Sequence, residues 1–170
     1  DSAKRDLRIL EEKGLLKRTH GGAIPLRKIG SGGGDCMNLS SKERIQSIKK
    51  NYLRIAQRAI SMIEQDDVIY LTGASVGFLM AQNLPAAIRC TVVTSSISIA
   101  EALRNYDNIT VIVTGGEMSR NGNFYDAFAI AMLNRLKFDK CFLTSACITP
   151  EFGLSIQKSR NVGIIDAVIR

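Results

Sequence analysis

The sequence predicts an α/β fold built on a doubly wound, mostly parallel β-sheet. Short apolar runs at residues 68–71, 92–93, 109–113 and 141–143 are separated by segments long enough for a helix. Strands that alternate with helices predict a parallel sheet. The runs are continuously apolar, which is typical of strands covered on both faces. With 45% hydrophobic and 23% charged residues, the chain has the composition to bury a core.

The bulk properties favour a cytoplasmic protein without a metal or cofactor. The 170 residues suit one medium domain with a smaller piece attached. No apolar stretch approaches the roughly 18 residues that span a bilayer, and the charged start does not match a signal peptide. The cysteines Cys36, Cys90, Cys141 and Cys147 form no CxxC pair and have no histidine nearby. We therefore expect buried, reduced thiols rather than a zinc site.

Residues 2–23 predict a basic amphipathic helix, a stop at Gly14, a short apolar-basic strand and a glycine turn. Residues 1–50 hold 12 Lys or Arg and 6 Asp or Glu, a net charge of +6, whereas residues 51–170 hold 11 and 10. This distribution is typical of a phosphate-binding segment attached to a near-neutral domain. A solvated basic helix without a partner explains the charge equally well.

Three segments are expected along the chain. Residues 1–26 form the small basic unit, residues 27–39 a glycine-rich linker without periodicity, and residues 40–170 the α/β domain. Ser40 or Ser41 is expected to cap a long helix, in which apolar residues recur at three- and four-residue steps from residue 45 to residue 63. Further helices are predicted at residues 77–84, 97–106 and 126–137, and from about residue 158 to the end.

A small polar cluster follows each candidate strand. Residues 72–75, 94–96, 114–117 and 144–146 are rich in Gly, Ser and Thr. In open α/β sheets, ligands bind at the carboxyl ends of the strands. Glycines allow close approach of the backbone, and hydroxyl and N–H groups at helix starts suit an anion. The clusters predict a polyanionic or sugar-like ligand, although strand-to-helix turns use the same residue types for capping alone.

Catalytic groups are scarce in these clusters, which indicates that the protein is not an enzyme. An isomerase or deaminase needs a general base and often a second acid. Glu117 is the one ionisable residue in the clusters, and the single histidine, His20, lies in the N-terminal segment. The aspartates of the domain are expected at the starts of strands and of a helix: Asp66, Asp67, Asp126 and Asp139.

The N-terminal segment consists of Ser2 and the run K-R-D-L-x-x-L-E-x-x-G-L-L-x-R-x-H-G-G-A from Lys4 to Ala23. This run resembles the end of the DNA-binding domain of DeoR-type bacterial transcriptional regulators, a winged helix-turn-helix. The resemblance implies that the chain begins inside the recognition helix, so the winged helix-turn-helix is truncated. Because there is also no initiating Met, we expect a piece of a longer protein, truncated at its C-terminus as well.

Residues from about 43 to 170 resemble the effector domain of the same family, whose fold is related to ribose-5-phosphate isomerase and glucosamine-6-phosphate deaminase. The shared motifs are V-V-T at residues 92–94, G-G at 115–116, D-K-C-F-L at 139–143 and G-L-S at 153–155. Departures from the family pattern fall at the ligand-binding end: Ala74, Val76, Ser95, Arg160, Asn161 and Ile165.

The resemblance implies a repressor of a carbohydrate-metabolism operon that binds double-stranded operator DNA as a homo-oligomer. A small phosphorylated sugar or related metabolite would release it. The residues implied for DNA binding are Ser2, Lys4, Arg5, Arg8, Lys17, Arg18 and His20. The residues implied for effector binding are Thr72, Gly73, Ala74, Ser75, Thr94, Ser95, Ser96, Gly115 and Gly116.

Alternatives remain open at this level. Arg5 can pair with Asp6 or Glu12 instead of contacting DNA. The domain can also be a sugar-phosphate isomerase-like enzyme, since a fold does not define a function. A third possibility is an effector domain reduced to an oligomerisation module, which the departures in the ligand-binding end favour.

Overall fold

The computed structural model describes residues 2–13, 16–19, 22–25 and 50–170. The chain divides into two compact units, Asp1–Met37 and Asn38–Arg170, and each is described by itself. The predicted linker at residues 27–39 and the predicted helix start at Ser40 or Ser41 lie outside the described residues.

The N-terminal unit contains helix α1 (Ser2–Glu12) and an antiparallel hairpin of strands β1 (Leu16–Thr19) and β2 (Gly22–Pro25). The basic side chains of α1 are exposed, whereas Leu7 and Glu11 are half-buried. Residues four apart lie on the same face of a helix, so these two mark the covered face of α1. The predicted helix and strand are confirmed, and β2 is a second strand after the predicted turn.

The larger unit alternates helices and strands as the apolar runs predict. Its elements before the last strand of the sheet are α2 (Lys50–Ile60), β3 (Val68–Leu71), α3 (Ser75–Gln82), β4 (Cys90–Thr94), α4 (Ile97–Leu103), β5 (Ile109–Val113) and α5 (Ala127–Leu133). The chain continues with β6 (Lys140–Phe142), a hairpin of β7 (Cys147–Thr149) and β8 (Gly153–Ser155), a 3₁₀ turn (Ser159–Asn161) and α6 (Val162–Val168).

Four strands form one parallel sheet in the order β5-β4-β3-β6. Leu71 is the register partner of Thr94 on one side and of Phe142 on the other, and Thr94 pairs onward with Val113. The carboxyl ends of the four strands therefore meet at one edge of the sheet. The polar clusters that follow the strands begin at this edge.

Both faces of the sheet are covered. Successive side chains of a strand point to opposite faces. Ile69 and Val92 pack in a buried cluster with residues of α2, α3 and α4, while Tyr70 and Val93 pack in a second cluster with residues of α5 and α6. The predicted doubly wound α/β architecture is confirmed.

Besides shifts of two to three residues at the ends of α3 and α4, the structure differs from the sequence prediction in three places. The β7–β8 hairpin was not predicted, because three-residue exposed strands show no usable periodicity; its turn uses Gly153 at φ +77°. Helix α5 ends at Leu133 rather than at residue 137, because the chain turns there through a Leu136 N–H to Leu133 carbonyl bond of 3.1 Å. Helix α6 begins at Val162, after the 3₁₀ turn, rather than at about residue 158.

The expectation of buried thiols is correct only in part. All three described cysteines are free; Cys90 is buried, Cys141 is half-buried and Cys147 is exposed on the hairpin, while Cys36 lies outside the described residues.

No helix in the described part of the chain is long and apolar enough to cross a membrane. Across the same residues, no group of three or more His, Cys, Asp or Glu side chains is placed to hold a metal ion.

Candidate functional site

Helix α1 presents a basic face to solvent. Lys4 and Arg8 are one turn apart and exposed, and Arg5 lies beside them. The Arg8 Nε atom is 3.8 Å from a carboxylate oxygen of Glu12, and both side chains are more than 60% exposed, so this pair leaves Arg8 available. Within the described residues, no acidic side chain pairs with Arg5, so the alternative of a structural ion pair with Asp6 or Glu12 is not observed.

The hairpin carries the other predicted DNA-binding residues. Lys17 is exposed, whereas Arg18 binds the Glu11 carboxylate, with Nε donating to Oε2 at 2.6 Å. The main-chain N–H of Arg18, and then its guanidinium, hold the pKa of the Glu11 carboxyl below its usual range. Ser2 is the first residue of α1, and His20 lies outside the described residues.

The first effector cluster lies between β3 and α3. The residues Thr72, Gly73, Ala74 and Ser75 are all half-buried. The Thr72 N–H donates to the Phe142 carbonyl at 3.2 Å and extends the sheet by one residue. Ala74 is the N-cap of α3 and has no side chain to satisfy the first N–H groups of the helix. The start of α3 therefore has no side-chain cap.

The second cluster lies below the surface. Thr94, Ser95 and Ser96 are at most 2% exposed. The Thr94 hydroxyl donates to the Leu71 carbonyl at 2.8 Å and accepts from the Ser96 N–H at 3.2 Å. The first N–H of α4, at Ile97, donates to the Gly122 carbonyl at 2.9 Å. The Thr94 hydroxyl and the N–H groups of Ser96 and Ile97 therefore bond within the protein and do not face solvent.

A loop between β5 and α5, residues 118–124, covers this second cluster. Ser96 forms a β-bridge with Asn123, and the Phe124 N–H donates to the Ser95 carbonyl at 2.9 Å. The Asn123 side chain is fully buried, and its Nδ2 donates to the Asn121 carbonyl at 3.2 Å. A Cβ atom added to Gly73 would lie 1.8 Å from Asn123 Oδ1, so the Asn123 amide lies directly over Gly73.

Among the described residues, two buried hydroxyls that follow strands of the sheet have no hydrogen-bond partner. They are Ser96 Oγ and Thr114 Oγ1, and both residues are fully buried. An unsatisfied buried polar group costs about 1–3 kcal/mol. The neighbouring Ser95 hydroxyl is instead 3.2 Å from the Tyr70 hydroxyl, and burial raises the pKa of Tyr70 to about 12. The conformation with the loop in place thus leaves polar groups at the carboxyl edge unsatisfied.

The third cluster is exposed and is held by Asp126. Gly115 and Gly116 are exposed, and Gly116 has φ +115°. The Asp126 carboxylate accepts from the Glu117 N–H and, at 3.0 Å, from the Ala129 N–H, so it caps α5. These main-chain donors, Glu117 first, keep the pKa of the Asp126 carboxyl below its usual range. The prediction that Asp126 marks a helix start is confirmed.

The fourth cluster joins the β7–β8 hairpin. Ser145 Oγ donates to the Cys147 carbonyl at 2.9 Å, and the Ala146 N–H donates to the Ser155 carbonyl at 2.9 Å.

A separate groove of about 790 Å³ lies between α2 and β6, lined by apolar residues such as Ile55 and Phe142. None of the predicted effector-binding residues lines this groove.

The aspartates at the amino edge of the sheet have structural roles. The Lys140 ammonium group lies 2.7 Å from Asp67 Oδ2, and the Val68 N–H donates to Asp139 Oδ2 at 2.8 Å. Asp66 pairs with Arg89, both exposed. As predicted, these aspartates lie at strand starts, away from the carboxyl edge.

Sequence reasoning missed several residues of the carboxyl edge. Asn121 and Asn123 flank Gly122, a turn pattern that predicts a loop but not its contacts. The Asn121 side chain donates to the Tyr125 hydroxyl at 3.2 Å, and the Arg160 guanidinium lies 4.8 Å from the centre of the Tyr125 ring. Arg160, which departs from the family pattern, thus contacts Tyr125, and Tyr125 is in turn bonded to Asn121 of the loop that covers Ser96.

The N-terminal unit has an exposed basic helix and a hairpin, and the larger unit is a doubly wound α/β domain, the combination expected of a two-domain transcriptional regulator. Residues 2–28 match the family model of the DeoR-like helix-turn-helix domain, and residues 48–170 match that of the DeoR C terminal sensor domain. The chain belongs to the DeoR family of transcriptional regulators.

Curated relatives extend over most of the chain. It is 29% identical over 160 residues to the HTH-type transcriptional regulator GolR of Listeria innocua, covering 89% of this chain and 58% of that protein. It is 36% identical over 139 residues to the L-fucose operon activator of Haemophilus influenzae, covering 80% and 52%. It is 31% identical over 160 residues to the transcriptional repressor GlcR of Bacillus subtilis, covering 92% and 58%. The chain thus spans between half and three fifths of their length.

Proposed function

We propose that the protein is a DNA-binding transcriptional regulator of a carbohydrate-metabolism operon, acting in the cytoplasm as a homo-oligomer. The observation that carries the proposal is the exposed basic face of α1, with Lys4, Arg5 and Arg8 unhindered by strong ion pairs. Lysine and arginine in such a position bind phosphates or the edges of guanine in the major groove.

Repression is the mode of action that we propose. Three matched relatives are named as repressors: GlcR of Bacillus subtilis, AccR of Agrobacterium fabrum, and the lactose phosphotransferase system repressor of Lactococcus lactis, which is 30% identical over 157 residues. The relative from Haemophilus influenzae is named as an activator. A reporter fused to the promoter of the neighbouring operon distinguishes the two modes, since deletion of a repressor raises expression and deletion of an activator lowers it.

The DNA-binding role is tested by the salt dependence of binding. Binding of the chain to a labelled mixed-sequence duplex releases counterions, and each phosphate contact contributes about 0.9 to the slope of log K against log salt concentration. Arg5→Ala is expected to weaken binding and to lower the slope, whereas Arg104→Ala, on an exposed helix end of the other unit, changes neither. Equal affinity and slope for Arg5→Ala and the unaltered chain would count against the role of α1.

For the effector, we propose a small phosphorylated sugar in the crevice at the carboxyl edge of the sheet. The open start of α3 at Ala74 and the exposed Gly115 and Gly116 offer main-chain N–H groups to a phosphate. The hydroxyls of Ser96 and Thr114 lack partners in the conformation described, and a hydroxylated ligand that displaces the loop would supply them.

A panel of sugar phosphates tests this assignment by thermal unfolding. A ligand present at 100 times its Kd stabilises the protein by about 2.7 kcal/mol, which raises the melting temperature by several degrees. Glucose 6-phosphate, fructose 1-phosphate and ribose 5-phosphate are suitable probes, with the unphosphorylated sugars and inorganic phosphate as matched controls. A shift with a sugar phosphate that both controls fail to reproduce is the expected result.

A second candidate function is a sensor domain reduced to an oligomerisation module. The burial of Thr94, Ser95 and Ser96 beneath the Asn123 side chain favours it, because the crevice is then filled by the protein itself. Under this alternative, no member of the panel changes the melting temperature, while the oligomeric state, measured by light scattering, remains above one chain.

A further inference from the structure

One pair of residues ties the N-terminal hairpin to helix α1. The Glu11 carboxylate accepts two hydrogen bonds from Arg18: the main-chain N–H binds Oε1 at 2.8 Å, and Nε binds Oε2 at 2.6 Å. Hydrogen bonds to an ionised carboxylate are among the stronger ones in proteins. Because Arg18 is the register partner of Ala23, the pair restrains both strands of the hairpin.

The side of the hairpin on which Arg18 lies agrees with this role. Side chains alternate along a strand, so Leu16 and Arg18 lie on one face of β1 and Lys17 on the other. Leu16 is half-buried, and so is Glu11, whereas Lys17 is exposed. Arg18 is exposed as well, but its bond to Glu11 shows that its face of β1 is the one turned toward α1, and Lys17 lies on the opposite face.

The pair also neutralises a carboxylate at the border between the covered face and the basic face of α1. Glu11 lies three residues after Arg8, which places the two side chains next to each other on the helix surface. An ionised carboxylate at that position repels phosphates unless a cation neutralises it. The guanidinium of Arg18 supplies this cation, and Arg8 itself is 3.8 Å from Glu12 and not bound to Glu11.

We propose that Arg18 is a positioning residue that works through Glu11 to orient the hairpin against α1, and that Lys17 makes the phosphate contact of the hairpin. The proposal rests on the DNA-binding role proposed above. It reassigns Arg18, whose sequence position suggests a phosphate contact, because its guanidinium is already engaged with a carboxylate at 2.6 Å.

The salt dependence of DNA binding separates the two roles. The chain is titrated, by fluorescence anisotropy over a range of KCl concentrations, onto a labelled mixed-sequence duplex of about 40 base pairs. Lys17→Ala is expected to lower the slope of log K against log salt by about 0.9, the loss of one phosphate contact. Arg18→Ala is expected to weaken binding roughly three- to tenfold and to lower the slope by less than Lys17→Ala, because its effect is indirect, through the Glu11 carboxylate that it leaves without a cation. A slope for Arg18→Ala that falls as far as that of Lys17→Ala would overturn the proposal.

Hydrogen exchange without DNA tests the restraint directly. Glu11→Gln and Arg18→Ala are each expected to speed exchange of the β1 and β2 amides roughly three- to tenfold. The double variant is expected to exchange no faster than Glu11→Gln alone, because the guanidinium of Arg18 acts through the Glu11 carboxylate. Lys17→Ala is the matched control and leaves exchange unchanged. Unchanged exchange in Glu11→Gln would overturn the restraint even if DNA binding persists.

Failure of the proposed function has a different signature. If the unaltered chain does not bind the duplex at the lowest salt concentration, the DNA-binding role is overturned together with the phosphate contact of Lys17. Hydrogen exchange then still decides whether Glu11 and Arg18 orient the hairpin.

Discussion

Replacement of Gly73 by alanine is expected to destabilise the sensor domain by about 1–5 kcal/mol. The new Cβ atom would lie 1.8 Å from Asn123 Oδ1 and 3.1 Å from the Ser96 Cβ atom. Because Asn123 and Ser96 are buried, neither side chain can move into solvent. The Asn123 amide must retreat by more than about 1 Å to restore van der Waals distance.

The magnitude follows from two contributions. Overpacking of a well-filled interior costs about 1–3 kcal/mol. Displacement of the Asn123 amide also breaks its 3.2 Å hydrogen bond to the Asn121 carbonyl, and an unsatisfied buried amide costs about 1–3 kcal/mol. The lower entropy of the unfolded alanine chain offsets about 0.4–1 kcal/mol of this.

Urea unfolding of three variants measures the effect. Gly115→Ala is the matched control, because no atom lies within 4 Å of its added Cβ, and its free energy of unfolding is expected within about 0.5 kcal/mol of the unaltered chain. In an Asn123→Ala background, Gly73→Ala is expected to cost less than about 1 kcal/mol, since of the close contacts only the 3.1 Å one to the Ser96 Cβ atom remains. Equal stability of the Gly73 and Gly115 variants, or an undiminished penalty without the Asn123 side chain, would refute the reasoning.

Three further expectations concern the same edge of the sheet. Gly116→Ala destabilises by about 1–3 kcal/mol more than Gly115→Ala in thermal unfolding, since φ is +115° and the added Cβ would lie 2.2 Å from Asp126 Oδ1. Asp126→Ala lowers the free energy of unfolding at neutral pH. Because the folded-state pKa of Asp126 is lowered, its contribution to stability is present above about pH 4 and is lost as the pH falls through the folded-state pKa. Urea unfolding at low pH is therefore expected to show a smaller difference between Asp126→Ala and the unaltered chain. Burial raises the folded-state pKa of Tyr70 to about 12, so its contribution to stability is present below about pH 10 and is lost as the pH rises through 12. In urea unfolding at alkaline pH, the free energy of unfolding of the unaltered chain is therefore expected to fall by about 3 kcal/mol more than that of Tyr70→Phe.

The parallel sheet was predictable because its signal is local. Each strand is a short apolar run, and the continuous character of runs such as 109–113 already indicates cover on both faces. The aspartates at element starts were predictable for the same reason, since capping at Asp126 depends on residues three positions away.

The contents of the crevice were not predictable in this way. The amide of Asn123 meets Gly73 across fifty residues of chain, and no local pattern records which side chain fills the space above a glycine. The bond between Arg18 and Glu11 joins neighbouring elements, yet a sequence motif shows Arg18 only as a basic residue of a basic segment. In both cases the contact depends on how elements pack, which periodicity does not report.

The position of β6 in the sheet has a consequence for the order in which the domain folds. Val68 of β3 pairs with Thr91 of β4, whereas its N–H reaches Asp139, 71 residues further along the chain, beside β6. The entropic cost of loop closure grows with the logarithm of loop length. Closing the segment from Val68 to Asp139 therefore costs ~1 kcal/mol more than closing the segment from Val68 to Thr91. We therefore expect β3, β4 and β5 to assemble first and β6 to dock last, which makes β6 the strand of the sheet whose amides open first under native conditions.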